Sequence, residues 1–116
     1  MKKFEVGKIY VNFKHCGIGY DECVYAQYFL IDRKTDKSIW ASKAEICICQ
    51  YGQDLISKED AINIDPTKLY FDEEVYRSKL YISDRDHDEF FYYNDPRYSV
   101  KDYVNVNYCK EVGGDK

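Results

Sequence analysis

The sequence is poor in residues that break chains or mark linkers, and it has no long apolar stretch. Its 116 residues include two prolines, six glycines, one methionine and one tryptophan. The longest run without a charged side chain covers residues 23–31, whereas a membrane helix needs about 20 apolar residues. Glu5 and Lys8 interrupt the apolar segment that a signal peptide would need. We therefore expect one domain without a membrane span, residues 1–112, followed by a disordered tail, residues 113–116.

Cysteine spacing is typical neither of a disulfide framework nor of a zinc site. Five cysteines are an odd number, and nothing directs the chain to an oxidising compartment, so we expect reduced thiols and a cytoplasmic location. Structural zinc sites use pairs of cysteines two to four residues apart, but Cys47 and Cys49 are separated by one residue. On a strand this spacing predicts that both share one face as small buried side chains. We predict no metal and no cofactor.

Three other patterns resemble functional motifs but lack a required residue. Residues 84–89 begin like a calcium loop, but Glu89 stands where that loop needs glycine. Residues 17–19 lack the third glycine of a dinucleotide loop and the lysine of a phosphate loop. His15 and Cys16 are neighbours, so on a strand their side chains point apart and cannot act together as base and nucleophile. We identify no catalytic residues and expect a protein that is not an enzyme.

The first half of the chain has the patterns of β-strands. Ile9, Val11 and Phe13 alternate with polar or tyrosine side chains over residues 8–14, as in a half-buried strand. Two apolar segments, residues 23–31 and 38–49, flank a polar segment and predict a β-hairpin. The 13 tyrosines and six phenylalanines also suit half-buried strand faces. This half therefore predicts an antiparallel sheet.

The second half gives a mixed pattern. Ser57 begins a capping-box sequence and predicts a short helical turn. Asp65 and Pro66 form a good helix start, and we expect a helix from Pro66 to about Lys79. The alternative is a pair of strands, at 68–71 and 75–82. Further strands are predicted at 89–93 and 98–108.

The N-terminal segment carries one family resemblance. Phe4, Val6, Gly7, Lys8 and Tyr10, followed by the long hairpin, resemble the start of small SH3-like β-barrel proteins of phages and mobile elements. The resemblance covers roughly the first 48 residues. It implies a small, partly open SH3-like β-barrel with an accessory role and provides no catalytic residues. The predicted fold class is therefore mainly β (α+β): such a barrel, or an antiparallel sheet with one or two short helices.

Charge is divided unevenly and suggests a contact surface. Residues 1–50 hold eight Lys/Arg and six Asp/Glu, whereas residues 51–102 hold seven and 13. The acidic half carries a segment with aromatic residues beside carboxylates, a composition found at protein interfaces. We predict that it contacts a protein partner with a basic surface, through Asp84, Asp86, Asp88, Glu89, Tyr92, Tyr93 and Asp95. The alternative is a strand buried on both faces.

These observations together predict a non-enzymatic protein-binding module. The resemblance further implies an inhibitor of a host protein, of the anti-defence or anti-CRISPR kind, encoded by a phage or mobile element. One alternative is a small β-barrel that binds nucleic acid, which the lack of a basic stripe disfavours. The other is an oligomer that sequesters a small molecule in an aromatic pocket between subunits.

Overall fold

The described part of the protein folds around a curled β-sheet. The computed structural model describes residues 4–16, 22–71, 78–83 and 103–113. Within these ranges the strands are β1 (Ile9–Cys16), β2 (Cys23–Lys34), β3 (Ser38–Gln50), β4 (Gln53–Asp54), β5 (Ser78–Ser83), β6 (Tyr103–Asn105) and β7 (Lys110–Glu111). One short helix, α1 (Lys58–Ile62), and a 3-10 turn (Pro66–Lys68) follow β4. The prediction of a mainly β fold with little helix is confirmed.

The sheet is curled into a half-barrel. Its strand order is β6-β5-β3-β2-β1-β7, with β4 paired to β3. Neighbouring strands are antiparallel, except that β5 and β6 run parallel. The hairpin predicted from the two apolar segments is confirmed as β2–β3, which lies at the centre of the sheet. None of the helices in the described part of the chain is long or apolar enough to cross a membrane.

A short connection between the two edge strands explains the curl. Residues 106–109, which we call the strap, join β6 at one edge to β7 at the other. Strands lie about 4.8 Å apart, so a flat sheet of this order would separate β6 from β7 by about 24 Å. The chain from Asn105 to Lys110 can span at most about 18 Å. The strap can therefore connect these edges only if the sheet curls towards closure.

The described residues form two apolar cores, and the first lies on the sheet face that the strap crosses. Phe4 packs edge-on against Tyr10, with ring centroids 5.0 Å apart. The Lys34 ammonium donates a hydrogen bond of 2.6 Å to the Phe4 carbonyl, which holds the N-terminal segment against the sheet. The buried members of this first core are Phe4, Tyr10, Phe29, Ile31, Ile39, Ala41, Leu80, Val104 and Cys109. Because Val104 of β6 and Cys109 of the strap both belong to it, the core depends on closure.

The second core lies on the opposite face of the sheet, beneath α1. The hydroxyl of the fully buried Tyr28 donates a 2.6 Å hydrogen bond to the carbonyl of Ala61 in α1. The buried members of this second core are Val11, Val24, Ala26, Tyr28, Ala44, Ile48, Cys49 and Ala61. Ile9 and Phe13 pack against them, so the predicted inner face of β1 is confirmed. The alternate residue Tyr10 is also buried, because this sheet carries a core on each face.

The predicted capping of both helical turns is confirmed. The Asp60 N–H donates to the Ser57 hydroxyl oxygen at the start of α1, over 3.0 Å. The Thr67 N–H donates to the Asp65 carboxylate, also over 3.0 Å. These side chains satisfy backbone donors that lack a partner in the first turn of a helix.

The helix predicted from Pro66 to Lys79 is wrong. The 3-10 turn ends at Lys68, Leu69 is extended, and β5 begins at Ser78. Of the alternative pair of strands, the one over 75–82 agrees with β5 where the chain is described, whereas residues 68–71 do not form a strand. Leu80 lies opposite Ile39 of β3 and enters the first core. This pairing outweighs the local helical preference, because burial against the sheet stabilises the strand.

The strand predicted over 98–108 is confirmed in part where the chain is described. Of residues 103–108, Tyr103–Asn105 form β6 and residues 106–108 form a turn that begins the strap, while residues 98–102 lie outside the described residues. The turn occurs because the chain must leave the β5 edge for the β1 edge. The strand predicted at 89–93 lies outside the described residues.

Candidate functional site

A tight turn joins β3 to β4 and holds a tyrosine in an unusual backbone conformation. Gln50 pairs with Gln53, so the loop consists of Tyr51 and Gly52 alone. Their φ angles are 51° and 77°, the positive values of a type I′ hairpin turn, which favours asparagine, aspartate or glycine. In this region the Cβ of other residues crowds the following carbonyl, at a cost of roughly 1–2 kcal/mol. A bulky aromatic at this position is a local strain that the rest of the hairpin must offset.

The strained tyrosine is displayed to solvent together with two aliphatic side chains. Tyr51 is 66% exposed, Leu55 is 55% exposed and Ile56 is 36% exposed. The N–H groups of Leu55 and Ile56 both donate to the Ile48 carbonyl, over 2.8 and 3.3 Å. The backbone is thus fixed by hydrogen bonds while the apolar side chains remain in water. We call Tyr51, Leu55 and Ile56 the turn surface.

Carboxylates lie beside the turn surface. Asp54 stands opposite Cys49 in the β3–β4 ladder. Burial, and then the charge of Asp54, raises the pKa of the Cys49 thiol. On the other side, the Gly52 N–H donates to the carbonyl of Glu22 over 3.1 Å, so the segment before β2 is anchored to the turn. An aromatic anchor with an acidic surround is the composition that the sequence analysis assigned to residues 84–95.

The partner-binding site predicted from the sequence belongs to another segment of the chain. Asp84, Asp86, Asp88, Glu89, Tyr92, Tyr93 and Asp95 all lie outside the described residues. Their role stays a prediction.

Sequence reasoning missed the turn surface, although one signal was present. Gly52 interrupts a strand-like pattern, which marks a turn or bulge. The positive φ of Tyr51 has no such signal, because it follows from a loop length that the β3–β4 register sets. The exposure of Leu55 and Ile56 likewise depends on tertiary structure.

The prediction that Cys47 and Cys49 share a face is wrong. Cys47 lies opposite Tyr25, and Cys49 lies opposite Val24, with a register shift between these two positions. Tyr25 and Val24 are consecutive, so their side chains point to opposite faces. This β-bulge places Cys49 in the second core and leaves Cys47 half-buried on the other face.

Three half-buried thiols surround the Tyr25 side chain. Cys16 lies directly opposite Cys23 in the β1–β2 ladder, and Cys47 lies opposite Tyr25 in the β2–β3 ladder. Negative charge on Cys23, and next on Cys47, raises the pKa of Tyr25. Within the described ranges there is no group of three or more His, Cys, Asp or Glu side chains placed to hold a metal ion.

His15 lies on the face opposite Cys16. It stands across from Val24, whereas Cys16 stands across from Cys23. Its Nδ1 lies 3.5 Å from the Glu22 carboxylate. The predicted divergence of the His15 and Cys16 side chains is therefore confirmed.

A ladder of cations and aromatic rings crosses the other end of the sheet. The Arg33 guanidinium lies 4.0 Å from the ring centre of Trp40, and the Lys79 ammonium lies 5.3 Å from it. Lys79 also lies 4.9 Å from the Tyr81 ring centre. Arg33, Trp40 and Lys79 stand opposite one another in register, so they share a face. We call these four residues the cation ladder.

Comparison with known proteins gives no guide to the role of these surfaces. No protein-family model, curated protein or solved structure matches this chain.

Proposed function

We propose that this protein is a non-enzymatic binding module that attaches to a protein partner with a basic surface through the turn surface. The observation that carries the proposal is Tyr51, a strained and largely exposed aromatic residue where asparagine or glycine would be less strained. Backbone strain of this kind is concentrated at functional positions. Tyrosine is also one of the three side chains enriched among the residues that contribute most to binding at protein interfaces.

The charge around the turn surface supports the choice of partner. Glu22 and Asp54 lie beside it, and the chain carries a net charge of −4. A basic partner would be steered towards this surface, so its association rate would fall as salt rises. The further proposal, that the partner is a host defence protein inhibited by a phage or mobile-element product, is supported only by the resemblance of the first 48 residues.

Replacing Tyr51 with asparagine should weaken partner binding without lowering the free energy of unfolding. Asparagine before Gly52 gives the preferred type I′ sequence, so we expect Tyr51→Asn to maintain the free energy of unfolding or raise it by up to about 1 kcal/mol. Loss of an aromatic anchor costs about 2 kcal/mol of binding, which is roughly a 30-fold rise in Kd. Denaturant unfolding measures the first effect, and affinity capture from a lysate followed by titration of the retained protein measures the second.

A matched variant controls for the loss of an exposed tyrosine. Tyr70 is 81% exposed and lies outside the β3–β4 turn. We expect Tyr70→Asn to bind the partner like the unmodified protein. If a specifically retained partner binds Tyr51→Asn with unchanged affinity, the turn surface is not the contact site.

The same assay compares the two acidic surfaces. Reversal of Asp86 and Asp88 to lysine tests the segment predicted from the sequence, and Leu55→Ser tests the turn surface a second time. Binding that is lost only on the charge reversal assigns the contact to residues 84–95 instead.

A second candidate function, binding of single-stranded nucleic acid, is favoured by the cation ladder. Arginine and aromatic side chains together can stack bases and contact phosphates. The ion pairs formed by described residues involve Lys8 and His15 and include neither Arg33 nor Lys79. Two cations release few counterions, so the electrostatic contribution to affinity is small.

We expect no saturable binding of a labelled oligonucleotide at moderate salt. Fluorescence anisotropy at two salt concentrations measures it. Micromolar affinity that is lost in Arg33→Gln and Lys79→Gln would place nucleic-acid binding ahead of protein binding.

A further inference from the structure

One pair of thiols in the sheet has the geometry of a potential cross-link. Cys16 and Cys23 are the terminal partners of the β1–β2 ladder and lie directly opposite each other. Opposed residues of antiparallel strands have Cα atoms about 4.5 or 5.5 Å apart, and a disulfide spans about 4.4–6.8 Å. Opposed side chains also project from the same face of a sheet. The register thus places the two Cα atoms within the span of a disulfide, with both side chains on one face.

Exposure distinguishes this pair from Cys49 and Cys109, and the strand register distinguishes it from Cys47. Cys16 and Cys23 are both half-buried, whereas Cys49 and Cys109 are buried in the two cores. Cys47 lies opposite Tyr25 instead of a cysteine, and its thiol donates a 3.3 Å hydrogen bond to the Cys49 carbonyl. A thiol reagent in solution can therefore reach Cys16 and Cys23 together, which is the requirement for exchange.

We propose that Cys16 and Cys23 are a modification site, a dithiol that a low-molecular-weight disulfide such as oxidised glutathione converts reversibly to an intramolecular disulfide. The thiolate of one cysteine attacks the glutathione disulfide, forms a mixed disulfide and releases one glutathione thiolate. The second cysteine thiolate attacks the protein sulfur of that mixed disulfide and releases the other glutathione. The protein loses two electrons and two protons, and one glutathione disulfide becomes two thiols.

The cross-link would also act on the neighbouring turn. Glu22 immediately precedes Cys23, and its carbonyl accepts the hydrogen bond of the Gly52 N–H. Fixing Cys23 to β1 restrains this acceptor, so the Gly52 amide should exchange with solvent more slowly in the oxidised protein. This effect is independent of whether the turn surface binds a partner.

Thiol counting after oxidation tests the pair. The reduced protein has five cysteines. Treatment with excess oxidised glutathione, followed by unfolding and alkylation, is expected to leave three reactive thiols and no retained glutathione. Peptide mapping should locate the new bond between Cys16 and Cys23, and dithiothreitol should restore all five thiols.

Serine variants identify the participating sulfurs. Cys16→Ser and Cys23→Ser should each stop at the mixed disulfide and keep one glutathione, because the second attack has no thiol. Cys47→Ser should still lose two thiols. Retention of five thiols by the unmodified protein, or a bond mapped to Cys47, would overturn the proposal.

Discussion

Replacing Val104 with aspartate is expected to remove about 3–5 kcal/mol from the free energy of unfolding, the cost of an uncompensated buried charge. Val104 is 1% exposed and lies in the first core beside the strap. A small domain has only about 5–15 kcal/mol of stability in total. Denaturant unfolding at neutral pH measures the loss.

Lowering the pH tests whether the charge of the introduced carboxylate causes the loss of stability. Burial raises the pKa of the introduced carboxyl above its usual value of about 4. The destabilisation is therefore complete above the pKa of the folded state and declines as pH falls towards 4, because the neutral acid costs less to bury. Unfolding measured at pH 7 and near pH 4 should show a smaller difference from the unmodified protein at the lower pH.

An exposed position on β7, the strand that follows the strap, serves as the control. Lys110→Asp places the same side chain on the exposed part of β7 and should change stability by no more than about 0.5 kcal/mol. Amide hydrogen exchange then measures which strands lose protection in the Val104→Asp variant. We expect β2 and β3 to lose protection together with the strap, and unchanged protection there would show that closure is not required for the sheet.

Truncation of Tyr28 is expected to cost about 3–5 kcal/mol as alanine and about 1–3 kcal/mol as phenylalanine. The alanine variant leaves a cavity in the second core, whereas the phenylalanine variant removes only the hydrogen bond to the Ala61 carbonyl. Tyr25→Phe is the matched control, since Tyr25 is half-buried on the opposite face. Equal stability of Tyr28→Phe and the unmodified protein would show that the hydroxyl does not stabilise α1 against the sheet.

Unfolding measured at alkaline pH should reveal the contribution of the Tyr28 hydroxyl to stability. Burial raises the pKa of Tyr28 to about 12, whereas in the unfolded chain it ionises near pH 10. The unfolded state therefore releases the proton first, and this contribution to stability is complete below pH 10 and is lost as pH rises towards 12. Between these values the unmodified protein should lose more stability than Tyr28→Phe does.

The central hairpin could be predicted because its signals are local. Apolar alternation over β1, and a polar segment between two apolar ones, determine strands without knowledge of distant residues. The capping residues Ser57 and Asp65 act within one turn of chain, and both are confirmed.

The predictions that are wrong concern features that depend on residues far apart in the sequence. Ser78–Ser83 is a strand because it pairs with β3 and buries Leu80 in the first core. The helix-start sequence at Pro66 contains no information about this pairing. The opposite faces of Cys47 and Cys49 result from a bulge that β2 imposes on β3. The conformation of Tyr51 is set in the same way by the β3–β4 register, so the candidate site could not be located from the sequence.

The pairing of β1 with β7 has a consequence for the growing chain on the ribosome. Tyr10 pairs with Glu111, so β1 acquires this edge partner only after about a hundred further residues have been synthesised. Until then the outer edge of β1 is an open template that can pair with another chain. Such contacts between distant residues slow folding and prolong the exposure of unpaired strands. We therefore expect translation pauses before residue 110 to promote aggregation of the nascent protein.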